Sequence, residues 1–316
     1  MPARTSASTA PAPMLPRFPL CPHGPEVSAI AYGLWRLAQD PEGSSPARVR
    51  AKIDACLEVG ITTFDHADIY GGYTCEGLFG RALAEAPGLR DRMEIVTKCG
   101  INAVGPNRPG ARVNHYDASA AAIARCVERS LRELRTDRID LLLIHRPDWL
   151  TCAEETARGL TAVVAAGKVR AVGVSNYSVH QAALLARFLG RAPATNQVEL
   201  SLLQMGAITD GTLDQCQAAG SRPMAWSPLA GGRLLSGDDA AAVRTRAELA
   251  RIGAEYGVSA EQVALAWVAA LPSGPQVVIG TNQTARIRAA AASAGLRLER
   301  QHWYELWTAA HGRSVP

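Results

Sequence analysis

The sequence predicts an α/β fold, a (β/α)₈ TIM barrel of parallel strands with extra helices and long loops at the C-terminal rim. Three observations lead there. Short apolar runs recur along all 316 residues and alternate with stretches of helical period. Several runs are almost unbroken, as in Leu141-Leu142-Leu143-Ile144. A strand of that kind is buried on both faces, as in a parallel sheet flanked by helices. And eight such runs, each followed by a helical stretch, make up the number of units that closes this barrel.

Taken in order, residues 1–14 are rich in Pro, Ala, Ser and Thr and lack the apolar core of a signal peptide. They read as a loose tail, leaving one domain over 15–316. Strands are expected at Ala29–Gly33, Thr63–His66, Ile95–Cys99, Leu141–His145, Ala171–Val174, Thr195–Glu199, Met224–Ser227 and Val277–Gly280. Between them, Ile123, Val127, Leu131 and Leu134 mark one helix face, and Val263, Trp267 and Leu271 another. Ser178-x-x-Gln181 and Ser259-x-x-Gln262 read as capping boxes at helix starts. An open doubly wound sheet would carry Gly-x-Gly-x-x-Gly after an early strand, and Gly33-Leu34-Trp35-Arg36-Leu37 is not that motif. The long, non-periodic segment Gly100–Ser119 and the shorter Leu229–Asp239 are expected to be flaps over the barrel mouth.

Composition narrows the function. With 47 % apolar and 20 % charged residues, the chain is an ordinary globular one. The net charge of +4 is spread out, and no Lys/Arg run marks a nucleic-acid or membrane partner. No stretch approaches the ~18–20 apolar residues that span a bilayer. Seven widely spaced cysteines without a Cys-x-x-Cys pair suggest neither a zinc site nor a disulfide framework. Reduced thiols and a cytoplasmic location are the expectation.

In a barrel enzyme the working residues sit at the C-terminal strand ends. Here Asp65 ends the second strand, with Tyr70 in the loop after it; Lys98 ends the third and His145 the fourth. Singly, each has a plain structural alternative: a cap, a turn aromatic, a solvated strand end, a core imidazole. Jointly they suggest acid–base chemistry. A Lys ammonium beside a phenol stabilises phenolate and lowers the Tyr pKa, and Asp65 would hold the Lys. The phenol could then give a proton to a developing alkoxide, with His145 orienting the carbonyl oxygen.

The stretch Phe64-Asp65-His66-Ala67-Asp68-Ile69-Tyr70-Gly71 resembles the signature of the aldo-keto reductases. Leu142–Asp148 and Gly167–Tyr177 resemble two further signatures of that family. The likeness runs from about Pro16 to the C-terminus, and Arg300-Gln301-His302-Trp303 is similar to a bacterial oxidoreductase branch.

The resemblance implies reduction of an aldehyde or ketone with NADPH as cofactor and NADH as a possible substitute. It implies nicotinamide contacts from Ser175, Asn176 and Gln197, with Trp226 as the stacking aromatic. Gly33, Leu34, Trp35 and Asp65 are further implied contacts. Ser227, Pro228, Leu229, Ala230, Gly231 and Gly232 match the pyrophosphate loop, and Gly280, Thr281, Asn282 and Arg286 match the 2′-phosphate region. Two departures stand out: Gly280 replaces a phosphate-binding Lys of many members, and Ala289-Ala290 replace an adenine-contacting Glu-Asn pair.

No metal-ligand spacing is seen. The alternative role within the family is an NADPH-binding regulatory subunit with little catalysis. Trp35, Trp149 and the Trp303–Trp307 region are candidate pocket walls, and an aromatic lining would favour apolar or aromatic carbonyls.

Overall fold

The computed structural model describes residues 15–108 and 110–316; the expected tail at 1–14 lies outside them. Twelve short strands are present among the described residues: β1 Arg17–Pro19, β2 Glu26–Ser28, β3 Ile30–Gly33, β4 Thr63–Asp65, β5 Glu94–Cys99, β6 Ile101–Asn102, β7 His115–Tyr116, β8 Ile139–Ile144, β9 Val169–Ser175, β10 Asn196–Glu199, β11 Met224–Trp226 and β12 Gln276–Ile279. Eight of them close a barrel in the order β3-β4-β5-β8-β9-β10-β11-β12, with β12 returning to β3 and every pair parallel. These are the eight strands expected from the sequence, shifted at their ends by one or two residues.

Alternate residues on each strand face the barrel interior. Ala31, Val96, Leu141, Leu143, Ala171, Met224 and Val278 form that inner cluster. Its floor is a hairpin the sequence pattern did not reveal: β1 pairs antiparallel with β2, and Leu20 and Val27 plug the bottom. Three-residue strands around Cys21-Pro22-His23-Gly24-Pro25 leave no period to detect.

The helices form the outer layer, and their starts follow the capping chemistry. Both predicted capping boxes are made, at Ser178 with Gln181 and at Ser259 with Gln262. The periodic segment around Ile123 is the helix Ala120–Leu134, capped by Ser119. It packs on the helix Cys75–Ala84 so closely that a Cβ on Gly80 would lie 2.0 Å from the Glu133 carbonyl oxygen.

One expectation fails. Trp303 and Trp307 do not wall a substrate pocket, because they pack against the main core between barrel and helices. Trp303 stacks on the buried Trp267 with centroids 4.7 Å apart, and each indole N–H donates to the other's backbone carbonyl. No helix among the described residues is long and apolar enough to cross a membrane.

Candidate active site

The inward alternation that builds the core also builds the site. On β8, Leu141 and Leu143 face inward, so His145, two residues on, continues the same row at the rim. Val96 is followed in the same way by Lys98 on β5, Ala171 by Gly173 and Ser175 on β9, and Met224 by Trp226 on β11. Asp65 ends β4 beside them, paired in register with Gly33 and Val96. The polar residues are the top rung of an apolar ladder.

Lys98 is fully buried. Its ammonium donates to both Asp65 carboxylate oxygens at 2.8 Å, to the His66 carbonyl at 2.7 Å and to the Tyr70 phenol oxygen at 3.0 Å. Asp65, itself 2 % exposed, also accepts from Gln197 Nε2 at 2.8 Å. The Tyr70 ring meets His145 edge-on at 5.9 Å between centroids. The structure therefore brings together all four residues read from the sequence.

Their electrostatics differ from the simple expectation in one respect. Burial pushes the Tyr70 phenol above its ordinary pKa, and the opposing pull of Lys98 does not cancel it. The phenol is thus protonated at neutral pH, with a cation already bonded to the oxygen that would carry charge after proton loss. Burial also works against the charge on Lys98, but Asp65 and then Tyr70 more than offset it, so the amine stays charged. Burial, then Lys98 and Arg146, drive His145 well below the usual imidazole pKa. His145 is neutral, and its buried Nδ1 has no hydrogen-bond partner among the described residues. In the Nε2–H tautomer of the neutral ring, Nε2 is able to donate.

Beside this cluster lies a second network. Ser175 Oγ donates to the Gln197 carbonyl at 2.9 Å, and Asn176 Nδ2 donates to Ser175 Oγ at 2.7 Å and to the His145 carbonyl at 3.3 Å. Trp226 Nε1 donates to Asn176 Oδ1 at 3.2 Å. Asn176 takes φ 58°, a left-handed conformation that Asn tolerates better than most residues. The four residues expected around a nicotinamide are thus neighbours.

The phosphate-facing candidates are arranged less uniformly. In the loop after β11, Ser227, Ala230, Gly231 and Gly232 all have positive φ. Such a run curls the backbone tightly, as anion-cradling loops do. Pro228 in the same loop is buried and Leu229 packs against the core, so their side chains hold the loop down. Gly33 has a packing role, since a Cβ there would lie 3.1 Å from the Ile279 carbonyl oxygen. Leu34 is buried, its N–H donating to the Asp65 carbonyl, whereas Trp35 stands 53 % exposed at the rim.

The Thr281 carbonyl accepts from Tyr32 OH at 2.9 Å, and Asn282 Nδ2 donates to the Arg36 carbonyl at 2.8 Å, so this turn is fixed from inside. Gly280 follows β12, and Arg286 lies in the first turn of the helix Thr284–Ala291, half-exposed and 3.8 Å from Glu261.

Sequence reasoning missed Arg36. Its guanidinium donates to the Gly231 carbonyl at 2.9 Å and so bridges the loops after β3 and β11. Only the position next to Trp35 could have hinted at it. The backbone curl at Ser227–Gly232, the adjoining amide and hydroxyl network and the cations at its flanks suit an elongated anionic dinucleotide.

The sequence profile of the aldo/keto reductase family matches residues 29–309. A 6-dehydroglucose reductase of Agrobacterium fabrum is 52 % identical over 290 residues, 92 % of this chain and 96 % of that protein. The oxidoreductase YdhF of Escherichia coli is 45 % identical, over 96 % of this chain and all of YdhF. The crystal structure of an aldo/keto reductase from Klebsiella pneumoniae, in complex with NADP and acetate, superposes with a TM-score of 0.72 at 31 % identity, covering 89 % of this chain and 90 % of that one. This chain belongs to the aldo/keto reductase family and is an oxidoreductase of the carbonyl–alcohol couple.

Proposed function

We propose that the chain reduces aldehydes with NADPH, using Tyr70 as proton donor, and that its substrates are hydroxyl-rich aldehydes of the sugar kind. The observation that carries the chemistry is the buried Asp65–Lys98–Tyr70 chain, with Lys98 Nζ 3.0 Å from the phenol oxygen. When bound, NADPH supplies the hydride that reaches the carbonyl carbon. Ser175, Asn176, Gln197 and Trp226 would hold its nicotinamide end, Ser227–Gly232 its pyrophosphate, and Arg286 its 2′-phosphate.

The chain's own residues then handle the proton. His145, neutral, donates Nε2–H to the carbonyl oxygen and fixes its place. Tyr70 gives its proton to that oxygen as the alkoxide develops, and Lys98 stabilises the phenolate left behind. Asp65 holds Lys98 charged and aimed. Such a complete acid–base set supports an enzyme over a regulatory subunit.

Three points support the substrate class. The relative at 52 % identity is named for 6-dehydroglucose. Beside His145, the half-buried Arg146 makes no hydrogen bond or ion pair among the described residues, which leaves its donors free for substrate oxygens. Trp35 and Trp149, 53 % and 83 % exposed, offer flat faces at the same rim. The test is a carbonyl panel of sugar aldehydes, aliphatic aldehydes and aromatic ketones, followed by NADPH oxidation beside NADH. Turnover confined to apolar ketones would refute the substrate class, and no NADPH-dependent turnover at all would refute the function.

A further inference from the structure

Directly after Tyr70, three consecutive residues adopt the left-handed conformation: Gly71 at φ 60°, Gly72 at φ 62° and Tyr73 at φ 71°. Glycine takes this conformation freely, but an aromatic L-residue does not, so other contacts must hold Tyr73 there. They are unusually complete. Two guanidinium groups lie over the ring, with Arg108 Cζ 4.5 Å and Arg129 Cζ 4.6 Å from its centroid. Arg129 also donates to the Tyr73 carbonyl at 3.4 Å. The phenol oxygen accepts from Ala103 N at 2.8 Å and donates to the Ile101 carbonyl at 3.4 Å.

Most of these partners belong to the Gly100–Ser119 flap. Ile101 lies on β6, Arg108 in the loop beyond, and Asn107 adds a bond from Nδ2 to the Gly72 carbonyl at 2.7 Å. The flap returns through β7, where Tyr116 meets Trp149 edge-on at 5.9 Å, four residues beyond His145. Arg129, by contrast, sits on the helix Ala120–Leu134 of the outer layer. Tyr73 is therefore the pin between flap, helical layer and the turn that begins with Tyr70. The turn is closed locally by the Tyr73 N–H to the Ile69 carbonyl at 3.2 Å, the Thr74 N–H to the Tyr70 carbonyl at 3.1 Å and the Thr74 hydroxyl to the Gly71 carbonyl at 2.7 Å. The Tyr73 side chain adds the long-range anchor that sets where the turn sits, while the Tyr70 hydroxyl must stay within bonding distance of Lys98.

We propose that Tyr73 is a positioning residue for the reaction: clamped by Arg108 and Arg129, it fixes the left-handed turn that aims the Tyr70 phenol, and it couples that aim to the flap. The inference rests on the reading of Tyr70 as proton donor.

The test is single-turnover reduction of 4-nitrobenzaldehyde by the NADPH-loaded protein, with cofactor affinity measured in parallel. Tyr73→Leu is expected to slow the chemical step about ten- to a hundredfold, the scale of a misplaced reacting group, with NADPH affinity unchanged. Tyr73→Phe keeps the ring under both guanidinium groups and should restore most of the rate. Arg108→Met removes the flap side of the clamp without touching the barrel, and should slow the step with the same sign if Tyr73→Leu does not fold.

The deciding measurement is a double-mutant cycle. In a Tyr70→Phe background, Tyr73→Leu or Arg108→Met should cost less than about twofold, because the group they aim is gone. An equal loss in both backgrounds would make the clamp merely structural and overturn the proposal, as would full rates in both single variants. A Tyr70→Phe protein that keeps its rate would overturn the donor reading itself, and this inference with it.

Discussion

Replacing Lys98 by Met tests the centre of the site, because Met nearly matches the lysine stem but carries neither charge nor donors. Two costs follow. The first is stability. Asp65 would be left 2 % exposed with a single side-chain bond, from Gln197. Removing one partner of a buried ion pair typically costs about 3–5 kcal/mol, and urea unfolding should show a loss of that order. The second is rate. The Lys98–Tyr70 bond at 3.0 Å is charge-assisted, and such bonds contribute about 1.5–3 kcal/mol, which is roughly ten- to 150-fold in the proton-transfer step.

The sign of the pH effect follows from the same contacts. Burial already raises the Tyr70 pKa, and Lys98 is the strongest influence holding it down. Without Lys98 the pKa rises further. Reduction consumes the protonated phenol, so its rate falls as pH climbs through that pKa, and the falling limb moves to higher pH in the variant. Alcohol oxidation needs the phenolate, so its rate falls as pH drops through the pKa, and that limb also moves up. The assay is the pH dependence of kcat in both directions for wild type and Lys98→Met. A limb that stays in place or moves down, or a rate within a factor of about two of wild type, would refute the coupling of Lys98 to Tyr70, since such coupling is tenfold or more.

Three further outcomes are expected. Tyr70→Phe should lose about 10²–10⁴-fold in single-turnover reduction while NADPH still quenches tryptophan fluorescence; more than a tenth of the rate remaining would remove Tyr70 as the acid. Arg286→Ala should weaken NADPH about tenfold, in line with one charge-assisted bond, and leave NADH affinity unchanged; an equal loss for both cofactors, read by fluorescence titration, would assign Arg286 another role. Gly80→Ala should destabilise the fold by about 1–3 kcal/mol, the usual scale of overpacking, because the new Cβ meets the Glu133 carbonyl and Leu134 backbone rather than a movable side chain. Unchanged urea unfolding would show that these two helices can part without cost.

How far the sequence could be read depended on the kind of order each part uses. The barrel strands were legible because burial on both faces writes itself as an apolar run, as at Leu141–Ile144. The clustering of Asp65, Lys98 and His145 was legible because polar residues at strand ends interrupt those runs at the rim, whereas Tyr70 lies in the turn after β4. The β1–β2 hairpin was not, since two plugging residues, Leu20 and Val27, carry no period. The Tyr73 clamp was hidden for another reason: Arg108 and Arg129 lie 35 and 56 positions away and meet the ring only in three dimensions. Trp303 misled because an aromatic at a C-terminal segment reads equally as wall or as core, and only its reciprocal bonds with Trp267 decide for the core.

The adenosine end shows where a matched motif and a physical role part company. Ala290 is buried against the main core, so its methyl serves packing and carries no polar group toward an adenine. Gly280 offers no charge. The Gly280–Asn282 turn is fixed by Tyr32 and Arg36 from inside. Arg48 reaches the Asn282 carbonyl at 3.2 Å, but its guanidinium is already engaged by Asp40 and Glu42. Arg286, loosely paired with Glu261 at 3.8 Å, is the residue proposed above for the 2′-phosphate. A half-exposed cation at a helix start, partly countered by a carboxylate, gives a modest and salt-sensitive preference. Discrimination between NADPH and NADH should accordingly shrink as ionic strength rises, measured as the ratio of the two dissociation constants across a salt series. A ratio that holds constant into high salt would place the selectivity in a buried contact and not in Arg286.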